Sequence, residues 1–209
     1  VTPEGIINIF KSFNRKERFA VVAQTTQGGF SIDQSFFNSV VDLLGVDNGK
    51  ADFEGAFMAM DYHFDWIAGA LGVIGAETFP AKNDGSVQGN QEDVDLLLVF
   101  KQADECHLAM IEAKCETGWI NKQTESKAKR LRMLFPEGKT PAGIVPHWLL
   151  FSPKTPQKLR MDLFPDWAKP NGGFLWLKMN EFNATKSVER CDAKGVPFKK
   201  GVYWHVVEN

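Results

Sequence analysis

Apolar positions follow two different periods along this chain. Near the start, Ile6, Ile7, Phe10 and Phe13 repeat at helical spacing behind Thr2-Pro3-Glu4: a capping Thr, a Pro in the first turn and an acid beside it. Charge over Asn14–Arg18 interrupts the pattern and Phe19–Ala23 resumes it, so two helices joined near Asn14 are expected. Gln27-Gly28-Gly29 reads as a loop. Ser31 with Gln34 three residues on forms a capping box, opening a helix whose apolar face is Phe36, Phe37, Val40, Val41 and Leu44. Phe53, Phe57, Met60, Phe64, Ile67 and Leu71 continue the helical period, which predicts one helix over 53–71. Ala81–Asp93 is polar, a loop of about a dozen residues and longer than most connections. It suits either a mobile loop near a substrate path or a plain surface excursion.

The period changes at Asp95. Leu96–Phe100 is a short apolar run bounded by charge, the mark of a strand buried on both faces. Lys101–His107 can turn the chain, and Leu108–Cys115 returns as a second central strand. A hairpin centred near Ala103 or Asp104 sets Asp95 opposite residues near Glu112 or Ala113, and Glu112 and Lys114 share a face. Gly118-Trp119 ends that strand. Asn121 caps a helix whose buried stripe is Thr124, Ala128, Leu131 and Phe135. Gln123, Lys127 and Arg130 form an adjacent row that can point back towards Lys114, while Lys122, Lys129 and Arg132 lie elsewhere on the helix. Strands are expected at Gly143–Phe151, Phe174–Met179 and Gly201–Val207, with a helix from Thr155-Pro156 to about Leu163 or Phe164. Helices, then a hairpin, then alternating helix and strand predict an α/β fold with a mixed central sheet flanked by helices. Residues 1–50 are expected as an N-terminal helical segment packed on a core of 51–209.

Composition narrows this only a little. The 17 Phe residues predict an aromatic core. Three cysteines without metal-ligand spacing, and no leader-like apolar run at Val1–Glu4, favour reduced thiols in the cytoplasm. The longest apolar stretch, Trp66–Ala76, is far short of a membrane span. Residues 1–100 carry 6 basic and 14 acidic side chains, residues 101–209 carry 18 and 12. Such asymmetry fits a polyanion-binding side, or two halves that neutralise each other. Arg15, Lys16 and Arg18 could meet a nucleic-acid backbone, although such runs more often stay solvated or pair with acids.

Two carboxylates and a lysine at one end of a central hairpin need a reason, because burying unpaired charge is costly. Oxygen ligands at one point suit a hard cation such as Mg²⁺, and a neighbouring lysine can hold water or steady charge on a phosphate. Asp95 followed after a hairpin by Glu112-Ala113-Lys114, and then by a helix carrying Gln123 and Lys127, resembles the PD-(D/E)XK nuclease superfamily with its restriction-endonuclease-like fold. The resemblance covers about Asp61 to Pro153, and Val94 stands where the superfamily's Pro would be. Asn14–Phe19 adds a general similarity to uncharacterised bacterial proteins.

The resemblance implies a metal-dependent deoxyribonuclease. In it, Asp95 and Glu112, with the Ala113 carbonyl, hold Mg²⁺, and Mn²⁺ is able to substitute. Lys114 positions the attacking water, and Gln123 and Lys127 orient the nucleophile or the phosphate. Asp61 or Asp65, four residues apart on the preceding element, completes the metal site. DNA is the partner, with Lys122, Lys127 and Arg130 as contacts, and a two-fold dimer would suit a double-strand cut. The alternative is a non-cleaving nucleic-acid-binding or assembly protein on the same fold. A glycosidase using Asp95 and Glu112 fits Lys114 and the basic helix less well.

Overall fold

The central hairpin is formed by β2 (Asp93–Gln102) and β3 (Glu105–Ala113), antiparallel, with Leu96 opposite Ile111 and Gln102 opposite Glu105. Ala103 and Asp104 make the turn, Ala103 with a φ of 51°. The computed structural model describes residues 1–208 apart from 15, 26–30, 91, 116–118, 120, 138, 158 and 181–185; side chains are described except those of 23 and 121–123. The expected loop at Gln27–Gly29 and the break at Gly118 therefore lie outside the described residues. The chain divides into two units, Val1–Met179 and Asn180–Asn209.

In the first unit, five strands lie in sequence order: β1 (Phe57–His63), β2, β3, β4 (Ile144–Ser152) and β5 (Leu175–Lys178). β1, β2 and β3 run antiparallel, while β3, β4 and β5 are parallel. A parallel neighbour needs a crossover, and α5 (Asn121–Leu134) supplies the one from β3 to β4. The fold is thus mixed α/β with a five-stranded mixed central sheet.

Alternation in the two central strands produces two cores. Leu97, Val99, Leu108 and Met110 face one side, with Trp148 and Leu150 of β4. Helices α1 (Pro3–Phe13), α4 (Phe64–Ile74) and α5 cover that side through Phe10, Ile67 and Leu131. Leu98, Phe100, Ala109 and Ile111 face the other side, under Phe37, Val40 and Val41 of α3 (Gln34–Leu43). The apolar run at Leu96–Phe100 is therefore buried from both sides, as its pattern implies. The Tyr62 hydroxyl donates to the Phe10 carbonyl at 2.9 Å, tying β1 to α1. The N-terminal helix is part of this core, and α2 (Glu17–Thr25) follows it after a short link.

Four expectations are corrected. Residues 53–71 are not one helix but β1 followed directly by α4. An aromatic run of this length fits either period, and pairing decides it. Without β1, the apolar β2 would expose a row of unpaired backbone groups at a sheet edge. Met60, expected to be buried, is 42% exposed. The third helix starts at Gln34 because Asp33, not Ser31, caps it and accepts from the Phe36 N–H at 3.0 Å. Residues 155–164 form no long helix. Prolines at 156, 165 and 170 lack the donor a helix needs, and the crossover to β5 runs through short 3₁₀ turns at Met161–Leu163, Asp166–Ala168 and Pro170–Gly172. The last strand, β7 (Tyr203–Glu208), pairs antiparallel with β6 (Lys186–Cys191) in a separate two-stranded sheet. No helix among the described residues is long and apolar enough to cross a membrane.

Near the start of β3, His107 Nδ1 lies 3.0 Å from His147 Nε2 of β4. One ring must donate and the other accept, so the contact needs unprotonated nitrogen. Burial pushes both imidazoles down, His147 to about 3, with neighbouring His107 adding to the effect. The unfolded chain then binds these protons first, so stability should fall as pH drops below about 6.5. The expected outcome is a melting temperature that declines from pH 7 to pH 5, with a visibly flatter decline in His147→Gln. Equal slopes in the two proteins would remove the pair from the acid response.

Candidate active site

The functional cluster grows from the register of β2 and β3. Leu96 faces Ile111, so one step further sets Asp95 opposite Glu112. Asp95 Oδ2 accepts from the Ala113 N–H at 2.7 Å, which fixes its carboxylate across the strand boundary. Glu112 follows Leu108 and Met110 on the face covered by α5 and is 3% exposed. Two lysines meet it there: Lys127 of α5 forms a short ion pair with one oxygen, and Lys114 Nζ lies 3.5 Å from the other. The Lys114 N–H bonds the Phe151 carbonyl at 2.9 Å, so the backbone stays in line with β4 beyond the end of β3. Burial pushes the Glu112 carboxyl above its ordinary range; Lys127 pulls it back, Asp95 adds to the rise, and Lys114 opposes it.

A second group of acids adjoins this one. Asp93 and Asp95 are two apart on β2 and share a face. Asp61 of β1 falls between the Met60–Leu96 and Tyr62–Val94 pairs, level with Asp95. Its φ of 50° is a conformation that Asp tolerates better than most residues. The twist interrupts β1's alternation, so both Ala59 and Tyr62 are buried on the core side. One carboxylate oxygen from each of Asp61, Asp93 and Asp95 lies within 4.8 Å of the others. Arg18 of α2 pairs with Asp61 at 2.8 Å, and Lys16, just before α2, pairs with Asp93 at 3.4 Å.

The expected residues therefore separate. Asp95, Glu112, Lys114 and Lys127 come together, and Asp61 joins them. Asp65 does not: in the first turn of α4 it accepts from the Gln88 N–H at 3.0 Å and the Gly89 N–H at 2.7 Å, and pairs with Arg130. Partial burial works against its ionisation, but these hydrogen bonds prevail and hold its carboxyl below the ordinary range. Arg130, expected at a DNA backbone, is 1% exposed, with its guanidinium over the Phe64 ring at 5.6 Å. Lys127 likewise is buried against Glu112 rather than free at the surface. The side chains of Gln123 and Lys122 lie outside the described residues; Gln123 is placed on α5 one turn before Lys127. Asp93 also belongs to the cluster. The signal for it was Asp93-x-Asp95, spaced for one face of a strand. The basic run at 16–18 pairs with acids, the commoner fate of such runs.

The donor set fits a divalent cation. Carboxylate oxygens from two adjacent strands converge, and hard oxygen donors are what Mg²⁺ and Mn²⁺ take. Comparison of the chain with protein-family models, with curated proteins and with solved structures finds no match to any of them.

The Asp65–Arg130 pair connects α4, α5 and the loop before β2. Removing the acid leaves a buried guanidinium without its charge partner and frees two backbone N–H groups. Asp65→Ala should therefore cost about 3 kcal/mol in denaturant unfolding, and Arg130→Met, which removes the buried charge itself, clearly less. The reverse order would show that the pair does not hold this region.

Proposed function

We propose that this chain is a metal-dependent nuclease that hydrolyses DNA phosphodiester bonds, on a restriction-endonuclease-like fold. The observation that carries the reading is the meeting of Asp95, Glu112 and Lys114 at one end of the paired strands β2 and β3, with Lys127 of the following helix on Glu112. Asp95, Glu112, Lys114 and Lys127, which support the resemblance in sequence, are also neighbours in space.

Asp95, with Asp61 and Asp93, would hold Mg²⁺, and Glu112 reaches the same end of the sheet from β3. When bound, the ion polarises a phosphate oxygen and makes a water more acidic. The chain's own groups do the rest. Lys114 shares a face with Glu112 and offers an ammonium to the attacking water and to the charge that builds on phosphate. Lys127 keeps Glu112 oriented and favours its ionised form against the burial that opposes it. Asp95 is fixed by the Ala113 N–H, so its carboxylate is oriented before any ligand arrives. Gln123 sits in the same helical row as Lys127, where it would orient the nucleophile or the phosphate.

One observation favours a second reading, a non-cleaving nucleic-acid-binding or assembly protein. Three of the acids already have a cation of the chain beside them: Lys16 on Asp93, Arg18 on Asp61, and two lysines on Glu112.

Cleavage separates the two. Supercoiled plasmid and end-labelled linear DNA should be cut with Mg²⁺ or Mn²⁺ and left intact with EDTA. Asp95→Ala and Lys114→Ala should each lower the rate by about 100-fold or more, with an unchanged circular dichroism spectrum. A folded wild type that binds DNA but leaves it uncut with either ion would move the weight to the second reading. Variants that cut as well as the wild type would place the chemistry elsewhere.

A further inference from the structure

Beside the carboxylates, between the start of α2 and β1, lies a hollow of about 350 Å³. Its walls are apolar: Phe19, Val21 and Val22 of α2 and Met60 of β1. Val21 is 58% and Met60 42% exposed, so two large apolar side chains stand in water at the edge of the acidic cluster. Asp61 belongs both to the hollow and to the cluster. Lys16, Glu17 and Arg18 also line it, the Arg18 side chain 75% exposed and that of Lys16 14%.

We propose that this hollow is a subsite for an unpaired nucleobase of the substrate strand, next to the phosphate under attack; the inference rests on the nuclease reading for the chemistry of that strand. Shape and charge complementarity support this occupant. The hollow is at the small end of the roughly 300–1,000 Å³ of ligand pockets, so it takes one flat group and not a duplex. The occupant must be apolar over its faces to use Val21, Val22 and Met60. It must also carry an anion to use the two cations of the lining. Lys16 and Arg18 now rest on Asp93 and Asp61. Where those carboxylates hold a divalent ion, the two cations are released to meet phosphate. A purely apolar side chain would leave them unmet, and a bare anion would leave the walls wet. A base joined to its phosphate satisfies both.

Two consequences follow for the substrate class. A base inside a duplex stack cannot enter without being flipped out, so single strands or splayed ends are preferred over blunt duplex. The Phe, Val and Met side chains offer faces but no hydrogen bonds to base edges, so the subsite tolerates any sequence.

The test is fluorescence anisotropy with labelled oligonucleotides in EDTA and in Ca²⁺, which needs no turnover. Single strands of DNA and of RNA, the same strands with abasic positions, and blunt duplex are compared. The wild type should bind an intact single strand, DNA or RNA, about tenfold more tightly than its abasic counterpart, and more tightly than duplex. The double variant Val21→Ser/Met60→Ser alters exposed side chains and should keep its melting temperature. It should lose that tenfold on intact strands and none on abasic ones. Arg18→Ala should weaken both alike. Equal binding of intact and abasic strands by the wild type, or a double variant that discriminates as the wild type does, would overturn the subsite. Cleavage of the same strands keeps the two ideas apart. A wild type that cuts but ignores abasic positions sinks the subsite alone. One that penalises abasic strands yet never cuts keeps the subsite and sinks the nuclease reading.

Discussion

Glu112 is a carboxylate buried at the end of a strand whose neighbouring positions are apolar, and that one fact constrains much of the architecture around it. An isolated buried carboxylate costs several kcal/mol, more than most domains can spare from a margin of about 5–15 kcal/mol. Lys127 answers it from α5, so the helix must cross the sheet with that row facing β3. Arg130, one turn further along, then meets Asp65 at the start of α4, and Asp65 in turn holds the backbone at Gln88 and Gly89. The loop so held leads into Asp93 and Asp95. Ionic contacts thus run from the second central strand, through two helices, to the segment that delivers the other acids.

Asp61, Asp93, Asp95 and Glu112 converge on one end of the sheet, and their mutual repulsion would open it without positive charge nearby. The chain supplies lysines and an arginine on separate elements. Lys127 and Lys16 are both largely covered, with side chains 11% and 14% exposed, whereas the Arg18 side chain is 75% exposed. Of these cations, Arg18 is the one held at the surface. The raised Glu112 carboxyl marks the same tension from the other side: burial works against its ionisation, and the paired lysines oppose that.

Much of this was legible in the sequence because it follows from period two. The run Leu96–Phe100, the turn at Ala103–Asp104 and the return through Ile111 fix a register, and the register alone puts Asp95 opposite Glu112 with Lys114 beyond. That Lys127 can point back towards the end of β3 was legible from the 3.6-residue period of the helix. What failed was local pattern competing with tertiary pairing. Phe57 to Tyr62 fits a helix or a strand by spacing, and only the need of β2 for a partner makes it a strand. That error mattered for the site, since Asp61 on a strand and Asp65 on a helix no longer share a face. The fate of Arg130 was hidden too: nothing in its spacing shows that Asp65 waits for it inside the fold. The pairing of Lys16 and Arg18 with acids far along the chain depends on how α2 packs, which no short-range pattern encodes.

The most direct measurement is titration of the metal-free protein with Mn²⁺, followed by electron paramagnetic resonance or calorimetry, without nucleic acid present. The expected result is saturable binding that Asp95→Ala abolishes, that Asp61→Ala weakens, and that Lys114→Ala preserves. A wild type that binds no Mn²⁺, or one whose binding survives Asp95→Ala unchanged, would contradict the claim that these carboxylates form a metal site.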